Sequence, residues 1–299
     1  IFGGAVGGWK ELARTTLGSA NSTIDVTSLS NKRYYMILAS DTGVSTPVDG
    51  AFRFNSDSGS NYSDRLQGDG INLSNINQSF INSYSTASTP HADFGYVANY
   101  SSKEKLMILH HVAQGVAGAG TSPTRGEITG KWANTSNSIS SIQKYTGSSA
   151  TWSSGSELVI LGWDPADTHT TNFWTELASV NATASSTSID TGTFTAKKYL
   201  WIQAFVKSTG NTMGSISATF NNDTGSTYAN RYSDNGGADG TITSNQGLIL
   251  VDGGNLATNE SALINFFIVN VSSTVDEQSV SEQCWSISPT NPPDALLLL

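Results

Sequence analysis

The sequence predicts an all-β protein built as two tandem antiparallel β-sandwich domains, jelly-roll-like in type and related by internal duplication. Three observations lead to this prediction. A stretch of twelve residues occurs twice, charged residues make up only 13% of the chain, and short apolar runs alternate with clusters of turn-forming residues. Soluble domains usually contain about 25% charged residues. Ser, Thr, Asn and Gly replace them here, and these residues suit strands joined by turns better than helical surfaces.

The repeated stretch reads FNSDSGSNYSDR from Phe54 and FNNDTGSTYANR from Phe220, an offset of 166 residues, and seven of its twelve positions are identical. Upstream, WKELA from Trp9 returns as WTELA from Trp174 at an offset of 165 residues. Solenoid repeats have periods of roughly 20–50 residues, which are much shorter. Each copy is therefore predicted to be a whole domain with its own core.

The repeat divides the chain of 299 residues into two domains of ordinary size. Residues 1–8 (IFGGAVGG) are predicted to form an N-terminal arm, which is either flexible or packed on a neighbouring subunit. Residues 9–165 are predicted to form the first sandwich, with extra loops. Residues 166–173 form a linker, and residues 174–299 form the second sandwich.

Apolar alternation and continuous apolar runs predict the strands of both copies, and no helix of ten or more residues is expected. In the first copy the expected strands are residues 22–29, 33–39, 51–55, 106–112, 127–132, 138–145 and 157–162. In the second copy they are residues 188–195, 199–206, 215–221, 247–251, 263–271 and 283–288. The tail, residues 292–299, is interpreted as the counterpart of the strand at residues 157–162.

Two segments of the first copy, residues 72–100 and 113–126, are interpreted as long loops that the second copy lacks. Loops of this length are uncommon unless they have a purpose. Two purposes remain open, namely ligand binding at one end of the sandwich and packing against another subunit.

The net charge of −9 and the absence of basic runs argue against binding to nucleic acid or to anionic lipid. No stretch reaches the ~18 apolar residues that a membrane-spanning helix needs. The single cysteine, Cys284, cannot form an internal disulfide, and it is expected to be a core residue beside Trp285.

The sequence contains no pattern that requires catalysis. No G-x-S-x-G motif follows a strand. Neighbouring residues on a strand point to opposite faces, so His110 and His111 cannot bind one metal ion together. The loop aspartates of both copies are interpreted as turn residues rather than as a pair of catalytic carboxylates. The chain is therefore predicted not to be an enzyme, and a polysaccharide-active enzyme remains a distant alternative.

The repeated turns are the candidate calcium sites, through Asn55 and Asp57 in the first copy and Asn221 and Asp223 in the second. Calcium prefers such oxygen ligands, although the turns lack the closing glutamate of an EF-hand loop. The alternative needs no metal: the aspartate accepts backbone N–H bonds, and the glycine supplies a positive φ. No other cofactor is expected.

Three aromatic residues of the first copy, Trp152, Trp163 and Tyr84, are candidates for stacking on sugar rings. Burial in the core is the more common fate of a tryptophan, so this assignment competes with a structural one. Trp9 and Trp174 are expected to be structural, because both copies keep them.

The motifs W-[KT]-E-L-A and F-N-x-D-[ST]-G-S-x-Y, with S-G-S-E-L-V-I-L-G-W-D-P at the end of the first copy, resemble tandem β-sandwich proteins encoded by environmental, mostly marine, viruses and phages. The resemblance covers both halves of the chain. It implies a structural component of a virion, and it assigns no catalytic residue.

We therefore expect a non-enzymatic structural protein of an extracellular assembly, namely a viral capsid or another component of the virion. It would self-associate through sheet edges, loops and the terminal arm, and its partners would be further copies and other virion proteins. The alternative is a secreted or surface carbohydrate-binding (adhesion) protein, which would bind a host-surface glycan through loops of the first domain.

Overall fold

The computed structural model describes residues 8–84, 89–209, 212–213, 215–234, 237–251, 256–257, 261–270, 279–287 and 295–298. The regular elements in these ranges are all β-strands, and every pair of neighbouring strands is antiparallel. The prediction of an all-β protein is thus confirmed. Apart from Gly8, the predicted arm lies outside the described residues. None of the described segments forms a helix that could cross a membrane.

The first half of the chain contains twelve strands in two sheets. They are β1 (Lys10–Thr16), β2 (Thr23–Val26), β3 (Tyr34–Asp41), β4 (Gly50–Phe54), β5 (Tyr62–Gly68), β6 (Ile71–Gln78), β7 (Ile81–Ser83), β8 (His91–Ala98), β9 (Lys105–Ala113), β10 (Thr124–Trp132), β11 (Ile142–Tyr145) and β12 (Glu157–Trp163). An eight-stranded sheet has the order β1-β12-β3-β8-β9-β10-β5-β6, and a four-stranded sheet has the order β2-β11-β4-β7.

These two sheets pack face to face and enclose the main core. Its largest completely buried apolar side chains include Trp132 of β10, Phe52 of β4 and Trp152 in the loop before β12. The run YYMILASD of β3 is buried on both faces, because the second half of the chain covers the outer face of the sheet there. Continuous apolar runs of this kind are typical of central strands.

The second half contains ten described strands. They are β13 (Tyr199–Lys207), β14 (Thr212–Met213), β15 (Ile216–Ala218), β16 (Tyr228–Asp234), β17 (Gly240–Asn245), β18 (Leu248–Val251), β19 (Leu256–Ala257), β20 (Ser261–Val269), β21 (Ser279–Ile287) and β22 (Ala295–Leu298). A six-stranded sheet has the order β13-β20-β21-β22-β16-β17, and two small sheets pair β14 with β19 and β15 with β18. This six-strand order is the same as β3-β8-β9-β10-β5-β6, while the duplication itself stays a prediction.

The two halves contact each other through the outer face of the large sheet. Phe94 of β8 stacks on Phe267 of β20 at 5.3 Å between ring centroids, and Trp201 of β13 stacks on the same ring at 5.4 Å. The Tyr199 hydroxyl donates a hydrogen bond of 2.9 Å to Glu157 of β12. The second half therefore covers part of the first sheet.

The interpretation of residues 72–100 as a loop is wrong, because this segment contains most of β6, all of β7 and all of β8. Strand β6 (INLSNINQ) lies at an edge with both faces largely exposed, so it shows no clear apolar alternation. The other segment does contain a loop, residues 114–123, which packs on the second half. There Arg231 donates a hydrogen bond of 2.7 Å to the Pro123 carbonyl, and the Ser244 amide donates one of 2.6 Å to the Ala119 carbonyl.

Two expectations for the second copy are also wrong. Residues 188–195 form no strand. The similar first-copy strand β2 pairs with β11, and the described residues of the second half include no counterpart of β11. The tail strand β22 lies between β21 and β16, as β10 lies between β9 and β5, so it does not correspond to β12. The side chains of Cys284 and Trp285 lie outside the described part of the structure.

Candidate functional site

The most unusual feature of the first sandwich is a cluster of five ionisable side chains buried between its two sheets. Each of these side chains is 0% exposed. The cluster consists of Asp41 at the end of β3, His91 and Asp93 on β8, His111 on β9, and Lys144 on β11. Charged residues are rarely buried completely unless they are paired, so such a cluster calls for a structural or chemical explanation.

The register of the strands brings four of these residues to one face of the large sheet. Asp41 lies opposite His91 in the pairing of β3 with β8, and Asp93 lies opposite His111 in the pairing of β8 with β9. Residues at positions i and i+2 of a strand share a face, which places His91 and Asp93 together. Lys144 enters from the facing four-stranded sheet and completes the cluster.

Lys144 is at the centre of the cluster, and its Nζ donates to the Oδ2 atoms of both Asp41 and Asp93. The second oxygen of Asp93 lies 2.8 Å from Nδ1 of His111. His91 places Nε2 at 3.1 Å from Oδ2 of Asp41 and Nδ1 at 3.1 Å from the Thr89 carbonyl oxygen. The two carboxylates thus share one ammonium group, and each also contacts an imidazole ring.

Burial and pairing oppose each other in this cluster. Burial alone raises the pKa of the Asp93 carboxyl, but the charge of Lys144 and the contact with His111 outweigh it, so its pKa lies well below the usual range. Burial likewise raises the pKa of Asp41, and Lys144 and His91 reverse that shift. For Lys144 burial lowers the pKa, yet the two carboxylates leave it above its ordinary value. Pairing therefore keeps the charges in place.

Asp41, His91 and Asp93 could also be considered as metal ligands, since their ligand atoms lie within 4.8 Å of one another. However, the Lys144 ammonium contacts both carboxylates and already supplies the compensating positive charge. A metal ion would have to displace this ammonium group from the interior. The set as it stands fits an internal lysine better than a metal ion.

The first calcium candidate is a turn whose oxygens already accept hydrogen bonds from protein donors. Asp57 accepts from the Gly59 amide at 2.9 Å and from Nε1 of Trp132 at 2.7 Å. Asn55 accepts from the amides of Ser140 and Ser141 at 2.7 and 3.1 Å. Calcium binding there would require these bonds to break.

The second turn repeats this arrangement. Asp223 accepts from the Gly225 amide and from the Thr227 hydroxyl, each at 2.8 Å. The prediction that the glycines supply the positive φ is wrong, because Asn55 (53°) and Asn221 (54°) adopt it. The glycines instead allow the backbone of the turn to approach the aspartate side chain closely. A Cβ at Gly225 would lie 3.1 Å from an oxygen of Asp223.

The aromatic candidates do not form one site. Trp152 is completely buried, with its ring 5.3 Å from that of His91, so its assignment to sugar stacking is wrong. Tyr84 is half-buried and packs over Gly68 and Gly126, where its ring fills the space of the missing side chains.

Trp163 is also half-buried, and it belongs to a separate aromatic group. It stacks on Tyr34 with 5.3 Å between ring centroids. Tyr34 meets the exposed Tyr100 edge to face at 6.1 Å, and their hydroxyl oxygens are 2.9 Å apart. Trp9 lies beside this group, 6.4 Å from Trp163.

The sequence analysis did not find Asp41, Asp93 or Lys144 as members of a site. One signal was present: in a chain poor in charge, these residues interrupt strands that are otherwise largely apolar or polar without charge. The prediction that His110 and His111 face opposite ways is confirmed. His111 contacts Asp93 inside the sandwich, whereas Nδ1 of His110 lies 3.9 Å from Glu127. Burial lowers the pKa of His110 to about 4.

Comparison with protein-family models, with curated proteins and with solved structures found no match to this chain.

Proposed function

We propose that this chain is a non-enzymatic structural protein of an extracellular assembly, a viral capsid or another virion component, and that it associates with further copies of itself through strand β6. The resemblance of both halves to virion sandwich proteins motivates the choice of assembly. The proposal of self-association rests on one structural observation, namely the open edge that β6 gives to the eight-stranded sheet.

Strand β6 pairs with β5 on one side, and no other described strand pairs with it. Three of its apolar side chains are exposed, Ile71 by 54%, Leu73 by 47% and Ile76 by 68%. The strand contains no charged residue. A bulge next to Ile76 ends its regular part, which leaves residues 71–75 with a free hydrogen-bonding edge. Edge strands are usually protected by charge, Pro or a covering segment, so an uncharged apolar edge favours pairing with another chain.

The other edges of the eight-stranded and six-stranded sheets are less suitable for pairing. β1 contains Lys10, Glu11 and Arg14 and a bulge, and β13 ends in Lys207. β17 is engaged by the loop at residues 114–123. A second copy of β6 is the occupant that fits best, because two identical uncharged strands can pair antiparallel about a twofold axis. This pairing would join two eight-stranded sheets into one continuous sheet.

The test is a variant that places charge on the edge, Ile71→Lys combined with Leu73→Lys. The wild-type protein is expected to sediment as a dimer or a larger species and the variant as a monomer, because two like-charged edges repel and lose their apolar contact. The matched control is Leu106→Lys combined with Ile108→Lys, which charges exposed apolar residues on the face of the same sheet. Wild-type protein that stays monomeric at high concentration, or an edge variant that still associates, contradicts the proposal.

The aromatic group of Tyr34, Tyr100 and Trp163, in which Tyr100 is exposed and the other two are half-buried, supports glycan binding as a second candidate function. Aromatic rings near solvent, with hydroxyl groups beside them, suit the apolar face and the polar rim of a sugar. Replacing Trp163 with Ala is then expected to reduce binding on a glycan array at least tenfold, whereas Phe205→Ala, at an exposed aromatic residue elsewhere, leaves it unchanged. If both variants bind glycans equally well, the glycan binds at another surface of the protein.

A further inference from the structure

We propose that Lys144 and Asp41 join covalently inside the first sandwich, through an amide bond between Nζ of the lysine and the side-chain carbonyl carbon of the aspartate, with Asp93 as the proton acceptor. The bond would tie β11 of the four-stranded sheet to the end of β3 in the eight-stranded sheet. It would close a loop between residues that are 103 positions apart in the chain.

The first support is the geometry of the three reacting groups. Lys144 Nζ contacts Oδ2 of both Asp41 and Asp93, and all three side chains are completely buried. Two groups held in contact by a rigid scaffold react at the rate of an intramolecular step, without the entropy cost of an encounter. A facing pair of packed sheets is such a scaffold.

The second support is the low polarity of the surroundings. Lys144 Nζ lies 4.8 Å from the centroid of the Trp152 ring and 5.9 Å from that of Phe52. An interior of this kind penalises separated charges, and moving a proton from the ammonium to a carboxylate removes one positive and one negative charge. Transfer of a proton to a neighbouring carboxylate therefore gives the neutral amine, which is the nucleophile, without leaving separated charges.

The third support is the difference between the two aspartates. Both oxygens of Asp93 are engaged, one by His111 and the other by Lys144, which suits a carboxylate that accepts a proton. Asp41 leaves its Oδ1 without a hydrogen-bond partner, and its Oδ2 faces Nε2 of His91. Nε2 of His91 likewise has no hydrogen-bond partner, so Asp41 is the less engaged of the two carboxylates. A proton that comes from the Lys144 ammonium can neutralise Asp41 and turn it into the electrophile.

The step balances without any external reagent. Asp93 takes one proton from the Lys144 ammonium and passes it to Asp41. The amine attacks the side-chain carbonyl carbon of Asp41, so that a C–N bond forms and the C–OH bond breaks. The leaving hydroxyl takes a second proton from Nζ and departs as water, which leaves an amide and returns Asp93 to its carboxylate form. No oxidation or reduction occurs.

The test is the mass of the intact wild-type chain, measured after denaturation. The expected mass is lower than the sequence mass by one water molecule. A succinimide at an Asp-Gly pair loses the same mass, so the bond must be located in a tryptic digest. The cross-link joins the peptide 34–53, which contains Asp41, to the peptide that starts at Trp132 and runs through an uncleaved Lys144. Lys105 is the internal control, since it is buried yet donates only to carbonyl oxygens, and cleavage after it proceeds normally.

A full sequence mass, or normal cleavage after Lys144, overturns the proposal. A join to the peptide 66–103, which contains Asp93, overturns the assignment of Asp41 as the electrophile. The variant Asp93→Asn keeps the shape of the side chain but cannot accept the proton, and it is expected to lose the joined peptide. A joined peptide that persists in this variant overturns the role of Asp93.

Discussion

Replacing Lys144 with Met is expected to lower the free energy of unfolding by about 3–5 kcal/mol, because it leaves two buried carboxylates without a cation. Asp41 and Asp93 are both completely enclosed, so water cannot take over the role of the ammonium group. Methionine matches the length of the aliphatic part of lysine, so the loss reports on the missing ammonium group and on the cross-link proposed above, not on packing. The measurement is urea-induced unfolding at neutral pH.

The matched control is Lys131→Met on strand β10 of the eight-stranded sheet. Lys131 forms an ion pair of 3.0 Å with Glu104, but both side chains are more than 40% exposed. Exposed pairs of this kind contribute about 0–1 kcal/mol. A loss at Lys144 as small as that at Lys131 would mean that Asp41 and Asp93 are hydrated or protonated in the Lys144→Met variant and need no cation beside them.

Replacing Arg125 with Met is expected to lower the free energy of unfolding by about 2–5 kcal/mol and to loosen the contact between the two halves. The side chain of Arg125 is 0% exposed. Its Nε and Nη2 donate to both oxygens of Asp239, with a shortest distance of 2.6 Å. The substitution leaves Asp239 with the weaker contact to Arg231, at 3.7 Å.

A looser contact between the two halves can be measured separately from the loss of stability. Amide hydrogen exchange in the Arg125→Met variant is expected to increase in β17, which begins next to Asp239, and in the loop at residues 114–123. Arg65→Met is the control, since Arg65 is an exposed arginine on the adjacent strand β5. Unchanged exchange at β17 together with a global loss of stability would show that Arg125 supports only the first sandwich.

Part of this fold could be predicted, because the apolar composition of its central strands identifies them as strands. The apolar stretches of β3 and β12 are continuous, since both faces of those strands are covered, and that of β9 is continuous although Leu106 and Ile108 are exposed. Strand β8 (HADFGYVA) is just as buried, but His91 and Asp93 interrupt its apolar pattern. Two residues of the buried cluster are therefore the ones that prevented the prediction of β8 from the sequence.

The cluster itself could not be predicted, because its members are far apart in the chain. Lys144 is 103 residues from Asp41 and 51 residues from Asp93, and only the packing of two sheets brings them together. The prediction of a strand at residues 188–195 is wrong for a related reason. Local alternation shows that a segment can form a strand, whereas hydrogen bonding to a neighbour decides whether it does.

Strand β12 has a consequence for the synthesis of the protein. It lies between β1 and β3, although it is the last strand of the first sandwich to be made. Until Trp163 has emerged from the ribosome, β1 therefore has no neighbour in the large sheet. Pairings between distant segments form slowly. The nascent chain therefore keeps apolar strands uncovered while more than half of its length is translated. Chaperones have their longest access to the chain during this interval.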